Sequence, residues 1–326
     1  MREKEGEKRM IIFFEIVIGF LVDCFFGDPH SIKHPVQRIG SFITFMEGKC
    51  RKLAKNHKKK EVVFGGVLLA ATVILSYMVV WGILKIAGLL NPILRMIIEI
   101  WFIYRILAAK SLMVETRKVY KKLKEHDLDG ARKELSYLVG RDTEQLTEEE
   151  VIKATVETIA ENTSDGIIAP LFFIAIGGAP LGMAYKAVNT LDSMVGYRNE
   201  KYEYIGKCSA RCDDICNFIP ARISALLMLA VAAVLGYDGK KGVEVYARDR
   251  WKHLSPNSAQ TESVVAGVLN IQLGGTHNYF GKPVEKPTIG DNIRQAKIED
   301  IKRSHLFMYG STILMILLIG LVYSLF

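Results

Sequence analysis

Nothing in this sequence marks a boundary between domains. Across its 326 residues there is no Pro- or Ser-rich linker and no low-complexity tract, so residues 1–326 read as one unit, although a soluble protein of that length would suggest two domains. Cysteine is scarce and odd in number, five in all, which excludes a disulfide framework. Cys208, Cys212 and Cys216 recur every fourth residue. That spacing puts thiols along one helix face but is neither a CxxC pair nor a cluster-binding pattern, so packing is their expected role. No GxxxxGKS or GxxxxGKT loop occurs, and any nucleotide bound here must be gripped by another set of side chains. The excess of 43 Lys and Arg over 35 Asp and Glu is moderate. In an apolar chain it belongs to basic cytoplasmic loops rather than to a nucleic-acid surface.

What the chain has in quantity is apolar sequence: 50% of residues are hydrophobic and 24% charged, so long polar stretches must alternate with concentrated greasy ones. Val62 to Leu84 is long enough to cross a hydrocarbon core of about 30 Å. Leu89 to Ala109 reads as a second span, with Arg95, Glu99 and Arg105 inside it. Arg95 and Glu99 lie four apart and are expected to pair. Leu306 to Phe326 is the last span. Met10 to Phe26, Ile167 to Met183 and Ile223 to Tyr237 are short or interrupted by Pro and Gly, which suits re-entrant or bundle-buried segments as well as crossings. The expected fold is therefore all-α: a multi-pass helical integral membrane protein with helical cytoplasmic loops, re-entrant or broken segments, and a cytoplasmic helical insertion at residues 110–165. Basic runs at Gly48 to Lys60 and Lys110 to Lys124 put both flanks of the first two spans in the cytoplasm. Further basic stretches on either side of Ile223 to Tyr237 argue against a crossing there. The N-terminus, MREKEGEKR followed by an apolar run, has no small-residue cleavage site and reads as an uncleaved anchor.

Polar residues gather in a few blocks. Asp129 can cap one helix, and Thr147 with Glu150 forms a capping box for the next. On that second helix Glu157 and Glu161 lie four apart. Continuing the period reaches Asp165, with Asn162 alongside, in the stretch AENTSDGIIAPLFF. Like charges at this spacing repel, so the stripe suggests a cation such as Mg²⁺ or a substrate amine; a solvated acidic face is the bland alternative. GMAYKAVNTLDSMVGYRNEKY places Lys186, Asn189, Thr190 and Ser193 on one helix face with Asp192 adjacent, followed by Arg198. KCSARCDDICNFIPAR adds Lys207, Arg211, Asp213, Asp214, Asn217 and Arg222, and RDRWKHLSPNSAQTES adds Arg248, Arg250, Lys252, His253, Asn257, Ser258 and Glu262. Guanidinium forks suit carboxylates and phosphates. Near the start, GDPHSIKHPVQRIG holds Asp28, His30, His34 and Arg38. His30 and His34 have a zinc-compatible spacing, but Pro29 and Pro35 argue for an irregular loop without a third ligand.

Taken in order, GDPHSIKHPVQRIG, GRDTEQL, VETIAENTSDGIIAPLFF, GMAYKAVNTLDSMVGYRNEKY, GKCSARCDDICNFIPARI, RDRWKHLSPNSAQTES and IQLGGTHNYFG resemble the signature blocks of adenosylcobinamide-phosphate synthase, the CbiB/CobD family. The resemblance implies a membrane enzyme of cobalamin biosynthesis. Its substrates would be the corrinoid adenosylcobyric acid and (R)-1-aminopropan-2-ol or its phosphate, joined as an amide at a propionate carboxyl group. ATP as co-substrate and Mg²⁺ would drive an acid–amine ligation. It also implies membrane lipid and other cobalamin biosynthesis enzymes as partners. On this reading Glu157, Glu161, Asn162, Asp165, Lys186, Asn189 and Asp192 are catalytic, with Glu157, Glu161 and Asp165 on Mg²⁺. Asp28, His34, Arg198, Arg211, Asp213, Asp214, Arg222, Arg248, Arg250, Lys252, His253, Asn257 and Glu262 bind substrate or phosphate. The three acids are expected to share one centre with Lys186 and the Arg248/Arg250 pair. The competing class is a permease or a sensor resembling AmpE-like regulators, whose charges would instead line a path through the membrane.

Overall fold

The computed structural model describes residues 2–27, 34–55, 57–197, 199–279 and 281–325. Asp28, His30 and Arg198 lie outside the described residues. The described chain is all-α apart from four very short strands: α1 (Arg2–Phe26), α2 (Pro35–Ala54), α3 (Lys58–Leu90), α4 (Pro92–Ile106), α5 (Ala109–Lys124), α6 (Leu128–Ser136), α7 (Glu148–Thr163), a π-helical turn (Ser164–Ile168), α8 (Ala169–Val195), α9 (Lys207–Val234), α10 (Gly239–Asp249), α11 (Ser258–Leu269) and α12 (Glu299–Leu325). β1 (Leu273–Gly274) pairs antiparallel with β4 (Thr288–Ile289), and β2 (His277–Tyr279) with β3 (Lys282–Val284).

Four helical stretches are long and apolar enough to cross a membrane: Lys58–Leu90, Glu148–Val195, Lys207–Val234 and Glu299–Leu325. The protein is an all-α multi-pass membrane protein. The first of these contains the span read at Val62 to Leu84, and its outward side chains are greasy, with Val63, Ile74 and Ile86 all exposed, as lipid contact requires. The expected second span is shorter than the sequence suggested. Pro92 begins α4, and the Asn91 side chain accepts from the amides of Ile93 (2.7 Å) and Leu94 (3.3 Å). This cap starts a new helix of 15 residues, which reaches only about 22 Å. Near Ile223 to Tyr237, where basic flanks argue against a crossing, the helix runs from Lys207 to Val234 and has the length and composition of a candidate span.

The chain divides into two compact units, residues 1–108 with 169–217 and 316–326, and residues 109–168 with 218–315. In the first, α3 packs on α2, α4 and α8, and α1 on α4; Ile43, Leu68, Leu191, Val195 and Ile205 are fully buried there. Arg95 and Glu99 form the expected pair at 2.5 Å. The other oxygen of Glu99 accepts from the Ala179 amide at 3.3 Å, where α8 breaks at Gly177 and Gly178 (φ 68°, ψ −168°). Glu99 thus caps the restart of that helix. In the second unit α10 packs on α11, α11 on α7, and α7 on α5 and α6. The Thr147/Glu150 capping box is present at the start of α7. The cap of α6 is Asp127, whose side chain accepts from Gly130 N at 2.9 Å. Asp129 lies inside the first turn and pairs with Arg132 at 2.9 Å instead.

Candidate active site

The second unit contains a polar cavity of about 170 Å³ between the end of α7, the start of α11 and the β1 edge; Glu157, Glu161, Asn162, His253, Glu262 and Lys286 are among its lining residues. Helical spacing accounts for its acidic wall, because Glu157, Thr158, Glu161 and Asn162 fall on one face of α7. Glu157 is buried. It takes a hydrogen bond from Arg141 and accepts from the Gly274 amide at 2.7 Å. Glu161 is exposed and opens onto the cavity. Asn162 donates to the Thr158 carbonyl at 2.9 Å.

The opposite wall comes from the segment between α10 and α11. Gln260, fully buried, donates to the carbonyls of Arg250 and Pro256, both at 3.0 Å, and these bonds hold that loop in place. His253 then lies with Nδ1 3.0 Å from Ser258 Oγ and Nε2 3.5 Å from Glu262 Oε2. Neither His253 Nε2 nor Glu262 Oε2 has a hydrogen-bond partner. Burial, reinforced by the nearby Lys286, pushes the imidazole down to about 4, so it is neutral at neutral pH. Glu262 lies in a helix whose residues from Ala259 to Leu269 are all buried. Burial, with the charges of Glu157 and Glu161, raises its carboxyl well above the usual range. With the imidazole neutral, the 3.5 Å contact is not an ion pair. Opening beside this cavity is a groove of about 1010 Å³ lined by Arg132, Lys133, Arg141, Thr143, Glu150 and Asn278, among others. Arg141 lines both.

The remaining site residues proposed from the sequence fall elsewhere. Asp165 lies in the π-helical turn and is not among the lining residues of the cavity. Among the described residues no group of three or more His, Cys, Asp or Glu side chains is arranged to hold a metal ion. Lys186, Asn189 and Asp192, on α8, belong to the first unit together with Arg211, Asp213 and Asp214 on α9. There Tyr185 donates to Asn217 (2.7 Å), Asn217 to Asp213 (2.9 Å) and Asn189 to Asp213 (3.5 Å), a polar seam between the two helices. Arg211 is exposed. His34 caps α2, its Nδ1 accepting from Val36 N at 3.1 Å.

In the second unit, Arg248 and Lys252 both pair with fully buried Asp249 at 2.8 Å, and Arg248 also meets Asp291 at 2.8 Å. Burial alone would raise the Asp249 carboxyl; Arg248, Lys252 and the Gly290 amide outweigh it and hold the group well below the carboxylate range. These two cations thus have carboxylate partners already. Arg222 and Arg250 stack on Trp251 at 5.0 and 5.4 Å, and Arg222 also donates to Asn257 at 3.3 Å. The three thiols on α9 are half-buried, and Cys208 donates to the Val62 carbonyl at 3.5 Å.

Sequence reasoning missed Arg141, Gln260 and Lys286. Arg141 and Gln260 lie inside blocks that were recognisable, GRDTEQL and SPNSAQTES, where their polarity was the only available signal. Lys286, alone in VEKPTIG, carried none.

These features define an all-α multi-pass membrane protein with a carboxylate-rich polar cavity in one of its two compact units. The sequence profile of the family described as CobD/Cbib protein matches residues 16–308, and the chain belongs to that family. It is 49% identical over 291 residues to the cobalamin biosynthesis protein CobD of Clostridium perfringens, covering 89% of this chain and 91% of that protein. It is 47% identical over 297 residues to the cobalamin biosynthesis protein CbiB of Salmonella arizonae (91% and 93%), and 46% identical over 308 residues to CobD of Streptococcus sanguinis (94% and 96%). No solved structure matches the chain.

Proposed function

We propose that this protein, with its role in cobalamin biosynthesis, is an ATP-dependent acid–amine ligase. It joins (R)-1-aminopropan-2-ol, or its phosphate, to a propionate carboxyl group of adenosylcobyric acid, and its site faces the cytoplasm, where ATP is found. The observation that carries this reading is the cavity, in which a neutral imidazole and a carboxyl group with one oxygen lacking a hydrogen-bond partner sit beside Glu161, Arg141 and Lys286. Amide formation from a free carboxylate is uphill in water, so the carboxyl must be activated by phosphoryl transfer and then attacked by an unprotonated amine. Each requirement has a candidate here. Glu161 attracts the ammonium form of the amine, and neutral His253 accepts its proton at Nε2. Lys286 and Arg141 face the negative charge of a phosphorylated carboxyl group. The adjoining groove gives room for a bulky substrate whose side arm enters the smaller cavity.

The residues fit Mg²⁺, which commonly takes one or two carboxylates and completes its shell with phosphate oxygens and water. Glu262, with its orphaned oxygen, and Glu161, open to the same space, would hold it; Glu157 is already engaged by Arg141 and Gly274. When bound, the ion would neutralise charge on phosphate oxygens. The test is to incubate the purified protein in nanodiscs with adenosylcobyric acid, ATP, Mg²⁺ and each amine, and to follow the amide product by mass spectrometry. Product and ADP in equal amounts are expected. Amide formation without ATP consumption would reject the ligase, and transport of either substrate without product would favour the permease.

A further inference from the structure

Helix α5 has the composition of a membrane-surface element: Lys110, Arg117, Lys118, Lys121, Lys122 and Lys124 against the single acid Glu115. Its inner face, Thr116, Val119, Tyr120 and Leu123, is buried. On the outside lies a groove of about 480 Å³ lined by Val114, Arg117, Lys118, Lys121, Lys124, the single acid Glu125 and the edge of the otherwise buried Tyr120. Arg117, Lys121 and Lys124 recur at i, i+4 and i+7 and so form one stripe. Lys118 is satisfied by Glu115 at 2.6 Å and Lys121 loosely by Glu125 at 3.8 Å. Among the described residues neither Arg117 nor Lys124 has a carboxylate within ion-pair distance.

A second observation fixes the depth of this groove. The first turns of α12 pack on α5: His305 Nε2 lies 2.7 Å from Thr116 Oγ1, and the Lys302 ammonium 4.6 Å from the Tyr120 ring. Leu306, the next residue of α12, opens the apolar run that makes this helix long and apolar enough to cross a membrane. The groove is therefore level with the boundary at which α12 passes from polar to apolar sequence. An apolar floor rimmed by cations, at the height of the headgroups, matches one chemistry. The cytoplasmic leaflet of a membrane is anionic, and each Lys or Arg near such a surface is worth about 1 kcal/mol.

We propose that this groove binds an anionic phospholipid, with the headgroup phosphate on the Arg117–Lys121–Lys124 stripe and the first acyl segment against Val114 and Tyr120. The probe is phosphatidylglycerol. The full chain is reconstituted in phosphatidylcholine nanodiscs with graded phosphatidylglycerol, and retained lipid is counted by native mass spectrometry. Wild type should retain phosphatidylglycerol in preference to phosphatidylcholine. Arg117→Gln, Lys121→Gln and Lys124→Gln should each weaken that retention about fivefold and together about a hundredfold. The charge-preserving Arg117→Lys, Lys121→Arg, Lys124→Arg variant should keep most of it. Thermal unfolding is followed in parallel; should the triple Gln variant unfold, the three single variants carry the test. Equal retention of both lipids, or no effect of the Gln substitutions, would overturn the proposal. Displacement of the lipid by millimolar glycerol 3-phosphate would overturn it in favour of a free-phosphate site. Displacement by an acidic peptide would assign the face to a protein partner instead.

Discussion

Replacing Arg141 by Gln perturbs the site at the buried Arg141–Glu157 ion pair. The Arg141 and Glu157 side chains are only 9% and 8% exposed, so water cannot take over the lost contact. Removing one partner of such a pair usually costs about 3–5 kcal/mol, because the other charge is left buried without compensation. The Gly274 amide still donates to Glu157 at 2.7 Å, which puts the expected loss at the lower end, about 3 kcal/mol. For a unit of this size that is a fall on the order of 10 °C in unfolding temperature. The Glu157→Gln single variant should lose a comparable amount, since it takes the carboxylate away from the buried guanidinium. The double variant removes both charges and should be more stable than the sum of the singles by about 2 kcal/mol or more. Scanning fluorimetry and denaturant unfolding of the four proteins in one detergent give the cycle. Additivity within about 0.5 kcal/mol would refute the view that these two side chains form a mutually dependent buried pair.

Three further outcomes follow from particular contacts. Asp249→Asn should narrow the acid dependence of stability: a carboxyl held below its unfolded value stabilises the fold above about pH 4 and loses that contribution as pH falls through its folded value, so wild type should lose more stability than the variant between pH 5 and 2. Gly178→Ala places a Cβ 2.6 Å from Glu99 Oε1 at a φ of 68°; it should cost at least about 1–2 kcal/mol, measured as a lower unfolding temperature, and an unchanged value would contradict the capped break in α8. Joint replacement of Cys208, Cys212 and Cys216 by Ala should leave activity within about threefold of wild type and cost a few kcal/mol at most, whereas stoichiometric zinc or iron that is lost on replacement would contradict packing.

Local chemistry made part of this architecture readable. The apolar run inside α3, the Thr147/Glu150 box and the Arg95–Glu99 pair all depend on residues close in sequence, and each is present. The break in α8 follows from two adjacent glycines. One expectation failed locally: Asn91 and Pro92 start a new helix inside the stretch read as a single span. The cavity was harder to see, because its pairings join distant segments. Glu157 meets Gly274 across 117 residues, and Lys286 comes close enough to His253 to act on it electrostatically. No helical or strand period links such positions. Arg248 and Lys252 read as phosphate ligands because the sequence does not show that the neighbouring Asp249 is buried and takes both.

The central claim is that amide formation takes place in the Glu161–His253–Glu262 cavity, and its most direct test is turnover by Glu262→Gln and Glu161→Gln beside wild type. Both amides keep the shape and hydrogen-bonding capacity of the acids while losing their charge and proton affinity. With adenosylcobyric acid, the amine, ATP and Mg²⁺ all saturating, each variant should form product at least about 100-fold more slowly than wild type, with an unfolding temperature within a few degrees of it. Wild-type turnover in both would contradict the assignment of the reaction to this cavity.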